Sequence, residues 1–177
     1  MKNRPAVFFD RDGTLMEEVE YCNDPARVRA FEGAAAGLAN LRKSGWLNVI
    51  ITNQSGIASG KISPDQYRAV EAELNRQMGG LVDAVYFCAD SSAAPTPRRK
   101  PGTGMLEEAA RDLGIDLSKS WMVGDKDIDI ECGRSAGCHT ILVRTGYGSL
   151  HAGCKPEHIV DDIGGAIAFI LQNPLQS

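Results

Sequence analysis

Five short runs of apolar residues, each followed by a polar tail, constrain this chain more than any other feature. They are Ala6–Phe9, Trp46–Ile51, Ala84–Cys88, Trp121–Val123 and Thr140–Val143. Near-continuous apolar runs of this length read as strands covered on both faces, which is the habit of parallel sheets. The segments between them carry helix signals. Gly33–Lys43 is rich in Ala and Leu and stops before Gly45. Ser63-Pro64-Asp65-Gln66 supplies an N-cap, a proline at the first helical position and a capping-box glutamine. That helix is predicted to reach about Met78, where Gly79-Gly80 ends it. Further helices are predicted over Gly104–Leu113, Ile128–Ala136 and Ile163–Leu171. Alternating strands and helices predict an α/β chain: a Rossmann-like three-layer αβα sandwich with a mostly parallel central sheet and right-handed crossovers. One domain over residues 1–177 accounts for the length.

Charge and composition exclude several functions. A net charge of −4 argues against general nucleic-acid binding, which needs a surplus of Lys and Arg to neutralise phosphates. No apolar run approaches the ~20 residues that span a bilayer, so no membrane partner is expected. Met-Lys-Asn-Arg-Pro leads directly toward the first strand without a signal-peptide core. The cysteines, 22, 88, 132, 138 and 154, are odd in number and lack C-x-x-C spacing. A disulfide framework is not expected, and a reducing cytoplasm is. The expected state is a monomer or small homo-oligomer.

Ligands of open parallel sheets bind beyond the C-terminal ends of the strands, so the polar tails define the candidate site. The first strand ends in Asp10-Arg11-Asp12-Gly13-Thr14, the second in Thr52-Asn53-Gln54-Ser55-Gly56. The third leads through a Pro-rich loop, Ser91–Pro101, to Arg98-Arg99-Lys100-Pro101. The fourth ends in Gly124-Asp125-Lys126-Asp127-Ile128-Asp129. All four suit a phosphate and a divalent cation. A carboxylate can attack phosphorus to form an aspartyl-phosphate, provided a cation neutralises the repulsion between the two anions. Mg2+ does this with one or two carboxylates, waters and substrate oxygens. Asp10 and Asp125 are its expected side-chain ligands. Lys100 adds a fixed positive charge, and the Thr52 hydroxyl with nearby backbone N–H groups can hold phosphoryl oxygens. Asp12 then serves as general acid for the leaving alcohol and as base for the incoming water.

Together, D-R-D-G-T, T-N-Q-S-G, R-K-P and G-D-K-D-I-D resemble the four motifs of the haloacid dehalogenase superfamily of phosphatases, from about Pro5 to Gly148. Finer likenesses, among them I-T-N-Q-S-G-I-A-S-G-K, R-K-P-G-T-G-M and L-V-R-T-G-Y-G, are similar to the branch that acts on heptose bisphosphates and histidinol phosphate, a resemblance that implies no large cap domain, in keeping with the short gaps between the motifs. The resemblance implies Asp10 as nucleophile, Asp12 as acid/base, and Mg2+ on Asp10, the Asp12 backbone carbonyl and Asp125. It implies Thr52 and Lys100 as stabilisers of the transferring group. It places Glu18, Tyr21, Asn53, Gln54, Ser55, Arg99 and Lys126 against a small phosphorylated sugar or metabolite. Many members of the branch carry a zinc loop after the third strand, with Cys-x-His and Cys-x-Cys pairs. Here Cys88 is the one cysteine left, with Asp90 in the His position and Thr96 and Arg98 near the later Cys positions. One Cys without His cannot close a structural zinc site, so no zinc is expected.

Other readings stay open at this level. Asp127 and Asp129 suit the start of a helix, and Asp129 equally suits a position behind the metal. Lys126 could serve the phosphate or a salt bridge. A receiver-like signalling domain also places Asp, Thr and Lys at strand ends, although Asp12 supplies a base for rapid dephosphorylation that a receiver does not need.

Overall fold

A computed structural model describes residues 4–173; the Met1–Asn3 portion of the N-terminal segment read above and the last four residues lie outside them. Six strands form one sheet: β1 Ala6–Phe9, β2 Leu47–Asn53, β3 Ala84–Cys88, β4 Trp121–Gly124, β5 His139–Val143 and β6 His158–Val160. The order is β3-β2-β1-β4-β5-β6, and every pairing is parallel. Strand β6 carries too few residues, His-Ile-Val, to stand out in the sequence. The helices are α1 Ala34–Lys43, α2 Ser55–Ala58, α3 Pro64–Gln77, α4 Gly104–Leu113, α5 Asp127–Ser135, α6 Gly148–His151 and α7 Ile163–Gln172.

Strand periodicity sorts the core into two layers. Val7 and Phe9 of β1 point to the side packed by α1, α3 and α7, with Leu38, Val70, Leu74 and Ile167. Ala6 and Phe8 point the other way, toward Met105, Leu106 and Ala109 of α4 and Cys132 of α5. The result is the expected αβα sandwich. Helix α3 begins as its sequence requires: Ser63 Oγ accepts from Gln66 N, and Gln66 Oε1 accepts from Ser63 N at 2.8 Å.

The registers bring the polar tails together. Phe9 of β1 lies beside Ile50 of β2 and Val123 of β4. The Asp10 N–H donates to Val123 O at 2.9 Å, so the chain leaves β1 next to Asp125. Strand β2 runs on to Asn53, placing Thr52 on the sheet itself.

Candidate active site

A cavity of about 240 Å3 opens at the C-terminal edge of β1, β2 and β4. Of the sequence-predicted residues, Asp10, Asp12, Glu18, Tyr21, Thr52, Asn53, Gln54, Ser55, Lys100 and Lys126 line it. Asp125 sits fully buried beside Asp10, and their oxygens lie in one cluster with those of Asp129. Arg99 is the exception. It is not on the cavity wall; its Nη1 donates to Asp90 O at 2.8 Å, within its own loop.

Lys100 is the hub. Its buried ammonium donates to Asp10 Oδ1 at 2.6 Å and to Ile51 O at 2.8 Å, and it lies 2.7 Å from Asp129 Oδ1 as an ion pair without hydrogen-bond alignment. Burial alone would lower its pKa, but Asp10 and Asp129 more than offset this and hold it protonated. Its backbone is fixed as well. Lys100 N donates to Asn53 Oδ1 at 3.1 Å, and Asn53 Nδ2 returns a bond to Lys100 O at 3.0 Å. Asn53 thus ties the basic loop to the end of β2.

Opposite Lys100, Gln54 Nε2 donates both to Asp12 Oδ2 at 3.0 Å and to Thr52 Oγ1 at 2.9 Å. Lys126 leans over the mouth, 3.3 Å from Glu18 Oε2 and 4.7 Å above the Tyr147 ring centroid. Burial works against its charge, yet Asp10, Asp125 and Glu18 raise its pKa. Of the two readings of Lys126, the structure shows the salt bridge, formed on the cavity wall.

Three buried acids, Asp10, Asp125 and Asp129, offer oxygens within 4.8 Å of one another. Asp125 Oδ2 accepts from Tyr147 N at 2.8 Å, while its buried Oδ1 has no hydrogen-bond partner among the described residues. An orphaned buried carboxylate oxygen is costly unless a cation or donor reaches it. Gly13 and Gly146, at φ 83° and 56°, close over this carboxylate, and a Cβ on either would come within 2.3 Å of Asp125 Oδ2. Burial, then Asp10 and Asp129, push the Asp125 carboxyl up to about 8. Burial, with Asp10 adding to it and Lys100 opposing, pushes Asp129 up to about 6. A hard divalent cation is what this set of oxygens fits.

Some members of the site carried weaker signals. Asp129 reaches it because α5 starts two residues after Asp125, with Lys126 as its N-cap, and Asp129 Oδ2 caps that helix by accepting from Lys126 N at 3.1 Å. Tyr147 lines the cavity from a glycine-flanked turn whose sequence carried the family likeness but no role. Arg98, basic like its neighbours, turns away to pair with Glu108 at 3.2 Å. The loop is closed by Asp90, whose Oδ2 accepts from both the N–H and the hydroxyl of Thr96. Cys88 is buried.

Comparison with known proteins agrees with this geometry. A family profile described as "HAD-hyrolase-like" matches residues 97–166, which include Lys100 and Asp125. The D-glycero-D-manno-heptose-1,7-bisphosphate 7-phosphatase of Thermosynechococcus vestitus is 40% identical over 94% of this chain and 95% of its own. The enzyme of that name from Chlorobaculum tepidum is 34% identical over 98% of each chain. A crystal structure of a D,D-heptose 1,7-bisphosphate phosphatase from B. bronchiseptica, complexed with magnesium and phosphate, superposes with a TM-score of 0.88. It is 28% identical and covers 95% of this chain and 98% of that one. With likeness over nearly the whole length and acids, hydroxyl and lysine gathered at one sheet edge, the chain belongs to the haloacid dehalogenase-like family of phosphatases, which are phosphoric monoester hydrolases.

Proposed function

We propose that this chain removes the 7-phosphate of D-glycero-D-manno-heptose 1,7-bisphosphate in a Mg2+-dependent reaction through a phosphoaspartate on Asp10. The observation that carries the reading is the carboxylate cluster of Asp10, Asp125 and Asp129, spanned by one buried lysine beside a small polar cavity. The substrate follows from relatives of that name that align along nearly the full chain.

Asp10 and Asp125 side chains, with the Asp12 carbonyl, would hold Mg2+, which supplies the charge that lets a carboxylate approach a phosphate dianion. Asp10 attacks phosphorus as the bond to the leaving oxygen breaks. Asp12 gives that oxygen its proton. Asp12 then takes a proton from water, the water oxygen attacks phosphorus, and the bond to Asp10 breaks. Lys100 and Thr52 hold the phosphoryl oxygens. Glu18, Tyr21, Asn53, Gln54, Ser55 and Lys126 face the sugar. Arg99 would join them only by leaving its contact with Asp90 O, 2.8 Å away. Zinc has no part in this reading, because Cys88 without a histidine partner cannot close a structural zinc site; the Asp90–Thr96 bond in the same loop supports it. The enzyme works in the cytoplasm, a reading supported by five unpaired cysteines. No described helix is long and apolar enough to cross a membrane.

The deciding experiment is a phosphate-ester panel with Mg2+ present, with metals measured by elemental analysis. The heptose bisphosphate is expected to show the highest kcat/KM, EDTA to abolish turnover, and zinc to be absent. A higher kcat/KM for histidinol phosphate would overturn the sugar assignment. A single turnover leaving a long-lived phosphoprotein would favour a signalling domain.

The raised carboxyls add a stability prediction. Between the ordinary carboxylate range near 4 and about 8, folded Asp125 keeps a proton that the unfolded chain has released. The folded state therefore binds more protons than the unfolded one, and stability falls as pH rises through this window. Tm in EDTA is expected to drop from about pH 5 to about pH 8, and Mg2+ to raise Tm more at the higher pH. A Mg2+ effect independent of pH would contradict the cluster's charge.

A further inference from the structure

Arg11 stands between the two acids of the first motif, yet it is only 1% exposed. Its Nε donates to Asp12 Oδ2 at 3.0 Å and its Nη2 to Asp12 Oδ1 at 3.2 Å. The third nitrogen, Nη1, donates to Glu71 Oε2 on α3 at 3.4 Å. The guanidinium carbon lies 5.9 Å from the centroid of the Tyr67 ring, also on α3. Two of its nitrogens are thus committed to Asp12, and the third to an anchor behind it. Burying such a group is expensive, and apolar residues of similar size commonly serve stability as well or better. Stability alone does not explain its presence.

We propose that Arg11 is a positioning residue that fixes the plane of the Asp12 carboxylate for both of its proton transfers. The inference rests on the reading of Asp12 as acid and base. The terminal torsion of an aspartate is broad, so an unheld Asp12 would aim its oxygens over a wide arc. A forked, two-point contact removes that freedom. Gln54 adds a third contact, itself tied to Thr52. Glu71 and Tyr67 keep the fork in register, linking α3 to the reacting centre. Lysine keeps the charge but cannot form the fork.

The two proton transfers can be separated by choice of leaving group. Forming the phosphoenzyme from an alkyl phosphate requires Asp12 to protonate the departing oxygen. A dinitrophenolate departs without a proton. Hydrolysis of the phosphoenzyme requires Asp12 as base whichever ester supplied it. For Arg11→Lys, kcat/KM on an alkyl phosphate is expected to fall by ~10- to 100-fold, part of the range general acid–base catalysis spans. On dinitrophenyl phosphate, kcat/KM should stay within about threefold while kcat falls by about tenfold or more, KM falling with it and a burst of dinitrophenolate appearing. Asp12→Asn should show the same pattern more strongly.

Equal loss of kcat and kcat/KM on both esters would make Arg11 a merely structural residue and overturn the proposal, as would unchanged kinetics on both. If Asp12→Asn itself shows no dependence on the leaving group, the acid–base reading of Asp12 fails, which is a different result. Should Arg11→Lys not fold, Glu71→Gln keeps the fork and loosens its anchor. The same split is then expected at roughly three- to tenfold, and a uniform loss, or none, overturns the proposal.

Discussion

Asp10→Asn is expected to abolish turnover while leaving the fold in place. An amide is not a competent nucleophile toward phosphorus, so no phosphoenzyme forms and kcat falls by at least about four powers of ten. The residue's position does not depend on its charge, because its N–H is held by Val123 O at 2.9 Å. Removing one of three crowded acids also relieves repulsion between Asp10, Asp125 and Asp129. It also breaks the buried Asp10–Lys100 pair, but Lys100 keeps Asp129 as its counter-ion, so the two effects oppose each other and the Tm of metal-free Asp10→Asn is expected to stay within about 5 °C of the parent at neutral pH. Steady-state assays, phosphoprotein trapping and thermal melts check the three parts. Near-full activity in this variant would end the phosphoaspartate scheme.

Lys100→Ala is expected to damage both activity and stability. Loss of a charge aimed at the transferring group should cost about 3–5 kcal/mol of transition-state stabilisation, roughly two to four powers of ten in kcat/KM. The stability loss has a separate cause. Lys100 neutralises Asp10 and Asp129 where both are buried, and breaking such a pair costs on the order of 3–5 kcal/mol. Mg2+ restores part of that loss by placing positive charge in the same cluster. A variant that keeps its Tm while losing activity would show that Lys100 is not needed to hold the acids together. One that melts low but retains kcat/KM would remove Lys100 from the chemistry.

Lys100 also shows how far the sequence could be read. Its place after a Pro-rich loop and before Pro101 marked it as a cation delivered to a strand end, and it sits there. Its contact with Asp129 was not legible. Asp129 read equally well as a helix-start acid, and the capping bond to Lys126 N shows it is one. Its other oxygen meets Lys100 only because β4 lies beside β1. Gln54 was legible as a pocket residue, but its bridge between Asp12 and Thr52 was not. Arg99 shows the reverse: motif position pointed it at the substrate, and the fold of its loop turned it onto Asp90 O. The three residues of β6 were too few to register as a period, and they pair with β5 at the edge of a sheet already formed.

What the sequence by itself determined is the set of apolar strands, the helices between them and the polar tails that end them. Those features depend on local periodicity, capping and turn chemistry, which act over a few residues. Only the tertiary structure decided which tails become neighbours, which oxygen of each acid meets a cation, and that Arg11 turns inward to grip Asp12. Strand order and side-chain direction arise from pairing between segments far apart in the chain, and no local pattern encodes them.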